Sequence, residues 1–592
     1  MNDMRSPSDK MLLEFNRLRR DALRLDEIGI FPWRRPCLVK VLLLTDGGLD
    51  FGMGDFGLGA FVRILKNDKP FYANFQITLA HLRADTGPDV MQGAPEIQNS
   101  IRGFRFDEPA HFAPDLYDEI WLFGIETNFH NAAYGTRNSA AYPSNRLSDA
   151  ELAAIAGHMR SGRGIFATGD HGALGQGLCG SVMRVRNMRH WDSFLGSTGE
   201  DEVSMRGPRR NDTNRVGHDA GTQFSDQSDD VPQKLDLKLY SSRIGFLRNA
   251  RYPHPVLCGT FGRIDVFPDH PHEGECNVPA DLSLTYAVSG EKEYPDALDG
   301  SGQVAPEVIA TSHVPAGNTA RASFVATGTK ISTAAHSFGA VSAYDGHRAG
   351  VGRVLCDATW HHFINVNLIG VVEGAGFDQF GDTDHAEDAS KHDGFLSSAA
   401  GRAAFARIKN YYTNIAVWIA PPQKISCFGS RFWWEIIYAD RIMEAALSDP
   451  NTQIEKIPLD VLWSIGVHAR DVIGHRASQC QTTEWIVSWI EKLWPEVRPW
   501  IDPWGPFAKY QKLEDIPLPI VDPMPVVDIA LGAAIVSLRQ TFPYPAKEMD
   551  AKFDDIAIAV AEKGARLALD RAIRHTEGLM KDFKSTLRAA TK

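Results

Sequence analysis

The sequence predicts an α/β fold: a doubly wound, mainly parallel sheet followed by an α-helical C-terminal region. Three observations predict it. Short apolar runs bounded by glycine or an acid alternate with a helical pattern between "CLVKVLLLTDGG" and "GIFATGDHGALG". The length, β-branched content and glycine stops of these runs are those of strands buried on both faces. Beyond residue 395 the texture changes to tryptophan-bearing helical patterns.

Taken in order, residues 10–28 carry Met11, Phe15, Leu18, Ala22 and Leu25 at helical spacing and predict a leading helix. "CLVKVLLLTDGG" is the first strand, "FQITLAHLR" the second, and "YDEIWLFGIE" the third, ending at Glu126. "LSDAELAAIAGHMRSGRG" starts with a Ser148 cap and stops at glycine, so it is a helix. It feeds the strand in "GIFATGDHGALG". Residues 196–234 form a long polar insertion, and strand-like runs resume at "HPVLCGTFGRIDVFPDHPHEGEC", "PEVIATSHV" and "FGAVSAYDGHRAGVGRVLCDATWHHFINVNL". Helical patterns then occupy 395–592, interrupted by the proline-rich "DIPLPIVDPMP". The expected organisation is an N-terminal helix and linker over 1–36, an α/β domain over 37–390 and a helical domain over 395–592.

A formal net charge of −12 over 592 residues makes nucleic acid and anionic membrane poor partners. The seven cysteines are scattered, odd in number and free of CxxC pairs, which argues against a disulfide framework or cysteine-rich zinc module and for a reducing cytosol. The N-terminus lacks a continuous apolar signal region, and the apolar run 526–538 contains Asp528 and is too short to span a bilayer. A cytoplasmic location is expected.

In doubly wound sheets the ligand lies outside the carboxyl ends of the strands. Asp46, Glu126, Asp170 and His171 all fall at such ends. "PDHPHEGE" packs Asp269, His270, His272, Glu273 and Glu275 into one turn, a donor set suited to a divalent metal or to a base with an orienting carboxylate. "YDGHRAGVGRVLCDATWHHF" supplies Asp345, His347, Asp357, His361 and His362; of the adjacent histidines at most one faces a site in an extended segment. The glycine-rich "DGGLDFGMGDFGLG" lacks the Gly-Lys-Ser/Thr ending and GxGxxG spacing of phosphate-binding loops.

"SGRGIFATGDHGAL" and "GVGRVLCDATWHH" resemble the class I glutamine amidotransferase-like superfamily, and within it the trehalose-utilisation (ThuA-like) branch. The likeness runs over roughly 38–370. It implies a flavodoxin-like sheet with the site at the elbow, His171 on the branch's turn histidine, and His361 or His362 on its late histidine. The superfamily's glutaminases carry a cysteine nucleophile in that turn. Here the turn holds Thr168, Gly169, Asp170 and His171, and Cys179 lies too far along, so a thiol-based glutaminase is not expected.

The leading functional expectation is a metal-assisted hydrolase of a small polar substrate. A divalent ion (zinc, manganese or magnesium) bound by Asp46, His171, His270 and His272 would polarise the substrate and acidify a bound water. Glu126, Asp170, His171, Glu273 and His361 form the expected catalytic set. A metal-free variant uses His171 or His272 as general base. The alternative is a degenerate amidotransferase-like binding or scaffold protein whose C-terminal helices mediate homo-oligomerisation or partner docking.

Overall fold

A computed structural model gives the structure of the chain. It describes residues 36–54, 56–86, 97–139, 146–170, 173–191, 233–243, 249–259, 262–268, 274–314, 319–321, 330–332, 335–370, 395, 399–437, 452–476, 485–486, 489–490, 492–495, 524–542 and 551–590. The helix expected over 10–28, most of the polar insertion, His171 and residues 269–273 lie outside them.

Among the described residues ten strands form one mixed sheet: β1 (Cys37–Thr45), β2 (Ala73–His81), β3 (Ile97–Arg102), β4 (Glu119–Phe123), β5 (Gly164–Thr168), β6 (Gln233–Leu237), β7 (Val266–Phe267), β8 (Glu307–Val314), β9 (His336–Tyr344) and β10 (Val354–Asp357). Their spatial order is β7-β6-β8-β9-β10-β5-β4-β1-β2-β3. At the centre β1, β4, β5 and β10 run parallel, so their carboxyl ends share one edge. From β10 outward, β9, β8, β6 and β7 pair antiparallel. The α/β class is the one the sequence predicts. The sheet is mixed because residues 233–344 add antiparallel strands to a parallel core.

Strand alternation sends successive side chains to opposite faces. Ile120, Leu122, Ile165 and Ala167 share one buried core with Leu152, Ile155, Ala156 and Met159 of α2 (Asp149–Arg160). Trp121, Phe123 and Phe166 point the other way. There Phe61 of α1 (Gly59–Asn67) lies 5.5 Å from both the Trp121 and Phe123 rings and 5.1 Å from Tyr412 of α3 (Ala399–Ile419). Each fully buried side chain of this size contributes about 1.5–3 kcal/mol. The α2 start is fixed by a capping box: Ser148 accepts from the Glu151 amide and Glu151 reaches back to the Ser148 amide. Glu151 also pairs with buried Arg137 at 2.6 Å.

The chain divides into two compact units. One comprises Leu38–Leu239 and Tyr252–Ile425 and contains the sheet. The other comprises Met1–Cys37, Tyr240–Arg251 and Ser426–Lys592. Within the second, α5 (Leu459–Arg476), α6 (Met524–Thr541) and α7 (Ala551–Ala590) pack closely, α6 in contact with both neighbours. (α4 spans Pro422–Ile437.) Every residue from Val527 to Leu538 in α6 is buried. Close approach requires glycine: a Cβ on Gly466 would strike the Asp528 carbonyl, and one on Gly532 the Leu462 carbonyl. Asp528 is held by Arg470 at 2.6 Å. Cys37 and Cys427, both assigned to this unit, form a disulfide that the scattered cysteine pattern does not anticipate. No helix among the described residues is long and apolar enough to cross a membrane.

Candidate functional site

β5 ends at Thr168 and turns through Gly169 into Asp170. A side chain at Gly169 would collide with the Trp191 ring and the Leu174 carbonyl, so the turn demands glycine. The Asp170 amide donates to the Leu174 carbonyl (3.1 Å), and the Trp360 amide donates to the Gly169 carbonyl (2.8 Å). That second bond ties the exit of β5 to the exit of β10. Gly124, just past β4, meets Gly175 (φ +90°) backbone to backbone, which brings a third strand end to the same place.

Asp170 is buried at this junction. Its Oδ1 accepts from Thr359 Oγ1 at 2.9 Å, and its Oδ2 lies 3.7 Å from His361 Nε2. Thr359 is also the cap of the turn that follows, accepting from the His361 amide at 3.1 Å. One hydroxyl therefore orients both partners. The His361 ring stacks on Trp360, centroids 3.8 Å apart, and meets the Phe56 ring edge-on at 6.1 Å. Burial pushes the His361 pKa down; Asp170 opposes that shift. The imidazole is consequently neutral near pH 7 and able to accept a proton beside a carboxylate that stabilises the charged form.

His362 points elsewhere. Its Nδ1 is 2.7 Å from Asp357 Oδ1, and Asp357 Oδ2 accepts from Tyr411 of α3 at 2.6 Å. The ring packs 4.3 Å from Phe267. This second aspartate–histidine pair is embedded between sheet and α3. Of the two adjacent histidines, one faces Asp170 and the other the core.

Arg189 holds the junction from below. The fully buried guanidinium donates to the carbonyls of Asp170 and Ala358 (2.5 Å each), Asp357 (3.1 Å) and His190 (3.0 Å), and stacks on Trp191. The Gly274 amide also reaches the Ala358 carbonyl, at 3.2 Å. With Phe267 against His362, both flanks of residues 269–273 rest on the exit of β10. His270, His272 and Glu273 themselves lie outside the described residues, as does His171. On the other side the glycine-rich loop is stapled by Asn365, whose side chain donates to the Gly52 carbonyl (3.0 Å) and accepts from the Ala60 amide (2.8 Å).

Asp46 and Glu126 form a separate cluster at the ends of β1 and β4. Asp46 is fully buried; Oδ2 accepts from the Ile125 and Glu126 amides (2.7 Å each) and Oδ1 from the Gly48 amide (3.2 Å). Burial, reinforced by Glu126, pushes its pKa up to about 7 despite those donors. Burial likewise raises the Glu126 pKa, against the pull of Arg83 at 3.4 Å. Asp345 and His347 go to the opposite edge, where Asp345 pairs with Arg353 ahead of β10 and His347 bonds the Gly162 carbonyl ahead of β5. Cys179 is buried 3.6 Å from the Thr168 carbonyl with its pKa raised by burial, which makes it a poor thiolate. Among the described residues no group of three or more His, Cys, Asp or Glu is placed to hold a metal ion.

Thr359, Arg189 and Phe56 are site residues the sequence reading passed over. Thr359 was detectable in principle, two positions after one acid and two before His361. Arg189 carried no signal, because its partners are backbone carbonyls. The chain matches no protein-family model, no curated protein and no solved structure.

Proposed function

We propose that the chain is a hydrolase acting on a small polar substrate at the carboxyl ends of β4, β5 and β10, with Asp170 and His361 as its proton-moving pair. The observation that carries this reading is the Asp170–Thr359–His361 arrangement at the central strand ends. His361 takes a proton from the attacking water and returns it to the leaving group as the substrate's scissile bond breaks. Asp170 stabilises the imidazolium that results, and Thr359 fixes the geometry of both. The amidotransferase-like resemblance agrees with this placement, since it aligns the same two strand ends. Of the metal ligands expected from the sequence only Asp46 is described, and three backbone amides occupy its oxygens. The proton transfer uses His361 and Asp170 alone.

The test is an assay of the full chain, dialysed against EDTA, on chromogenic acyl esters, anilides, phosphomonoesters and glycosides. Turnover of one class should fall about 10²–10⁴-fold in His361→Ala and in Asp170→Asn, with circular dichroism unchanged. Equal turnover by wild type and both variants contradicts the proposal.

A further inference from the structure

We infer that the C-terminal part of α7 is a self-association surface that pairs antiparallel with α7 of a second copy of this chain. At 1.5 Å per residue, the 40 residues of α7 reach about 60 Å, whereas the 18 of its neighbour α6 reach about 27 Å. Ala557, Ala561, Ala565, Ala568, Leu569 and Ala572 make a buried stripe along the first half of α7. The apolar stripe continues past the stretch that the described residues bury. Leu579, Met580, Phe583 and Leu587 continue on the same helical face, yet they are 56%, 41%, 50% and 52% exposed. The change falls just after Arg571, which is tied to the Ile454 and Ile457 carbonyls at 2.7 and 2.8 Å.

What covers this face follows from its spacing and charge. Ile573, Thr576, Met580, Phe583, Leu587 and Ala590 recur at alternating steps of three and four, the seam of a two-helix coiled coil. Thr576 fits such a seam because its hydroxyl already bonds the Ala572 carbonyl. In an antiparallel pair, Met580 lies opposite the partner's Phe583, Thr576 opposite the partner's Leu587 and Ile573 opposite the partner's Ala590. All six seam positions are then used, and only those. In this register Glu577 comes beside the partner's Lys584, and Lys584 beside the partner's Glu577, giving two opposite-charge pairs on the seam's flank. A parallel pair sets the same residues beside Ala572 and Leu579 and satisfies neither charge. The surface is thus self-complementary in one orientation. It is independent of whether the sheet's site hydrolyses or merely binds its ligand.

Sedimentation of the full chain over a concentration series tests this. The expected result is a reversible monomer–dimer equilibrium, abolished by Phe583→Glu at unchanged circular dichroism. Glu577→Lys and Lys584→Glu, made singly, should each weaken the dimer about tenfold; combined, they should restore it. A chain that stays monomeric at its highest soluble concentration overturns the inference. So does a double charge reversal that fails to rescue. Flotation of a monomeric chain with phosphatidylserine vesicles, lost in Phe583→Glu, would assign the face to a membrane surface and also overturn it.

Discussion

Replacing Glu119 with leucine should remove a pH-dependent weakness from the centre of the sheet. Glu119 opens β4, in register with Val41 of β1 and Gly164 of β5, and is fully buried. Neither carboxylate oxygen makes a full hydrogen bond among the described residues, and the pull of the nearby Trp121 indole is outweighed by burial. Burial pushes its pKa well above the ordinary glutamate value of 4.5. The folded chain therefore keeps this proton at pH values where the unfolded chain has released it. Stability contributed by Glu119 is fully present below pH 4.5 and is lost as pH rises toward the folded-state value. The slope is about 1.4 kcal/mol per pH unit, at most about 2.7 kcal/mol between pH 5 and pH 7. Leucine carries no proton, so in Glu119→Leu this loss disappears. The assay is guanidinium unfolding at pH 5, 6 and 7, followed by tryptophan fluorescence, for wild type and variant. Asp46, whose raised pKa acts with the same sign, is present in both chains and cancels in the difference. A wild-type-to-variant difference that is flat with pH refutes the reasoning.

Other substitutions probe the junction and the disulfide. Arg189→Met removes the guanidinium donor from the carbonyls of Asp170 and Asp357, leaves Ala358 with the Gly274 amide, and should cost about 3–5 kcal/mol in denaturant unfolding; Arg189→Lys should not rescue it, because an ammonium cannot reproduce the guanidinium fork. Thr359→Val keeps the shape but removes the Thr359 hydroxyl from buried Asp170 Oδ1, with an expected loss of about 1–3 kcal/mol and lower kcat at similar KM. The Cys37–Cys427 bond removes two of the seven thiols, so titration of the denatured, unreduced chain should find no more than five. Cys37→Ser should lower stability by about 2–4 kcal/mol under non-reducing conditions and leave it unchanged relative to wild type in reductant.

The central strands were legible because each one is a short apolar run that stops at a glycine or an acid. β1, β2, β4 and β5 and the capped helix α2 stand where those runs and the Ser148 signal put them. β3 was missed: "IQNSIR" lacks a continuous apolar run. α1 was hidden behind the glycines of residues 46–59. The antiparallel pairing of β6 to β10 could not be read, since pairing direction is set by connections and not by local pattern. For the candidate site, chain ends of strands pointed to Asp170 and His361. The contacts that unite them run over long sequence separations, from Thr359 to Asp170 and from Arg189 to Ala358, and no local pattern encodes such a meeting. Nor does "NYYTN" announce that Tyr411 will satisfy Asp357.

The proposed activity requires Asp170 and His361 to act as one coupled unit. The direct measurement is the NMR titration of the His361 ring in the full chain, assigned by its loss in His361→Ala, and repeated in Asp170→Asn. Because Asp170 raises a pKa that burial lowers, its replacement should move the His361 midpoint further down. A midpoint that stays in place, or moves up, would show that the two groups do not work as a pair.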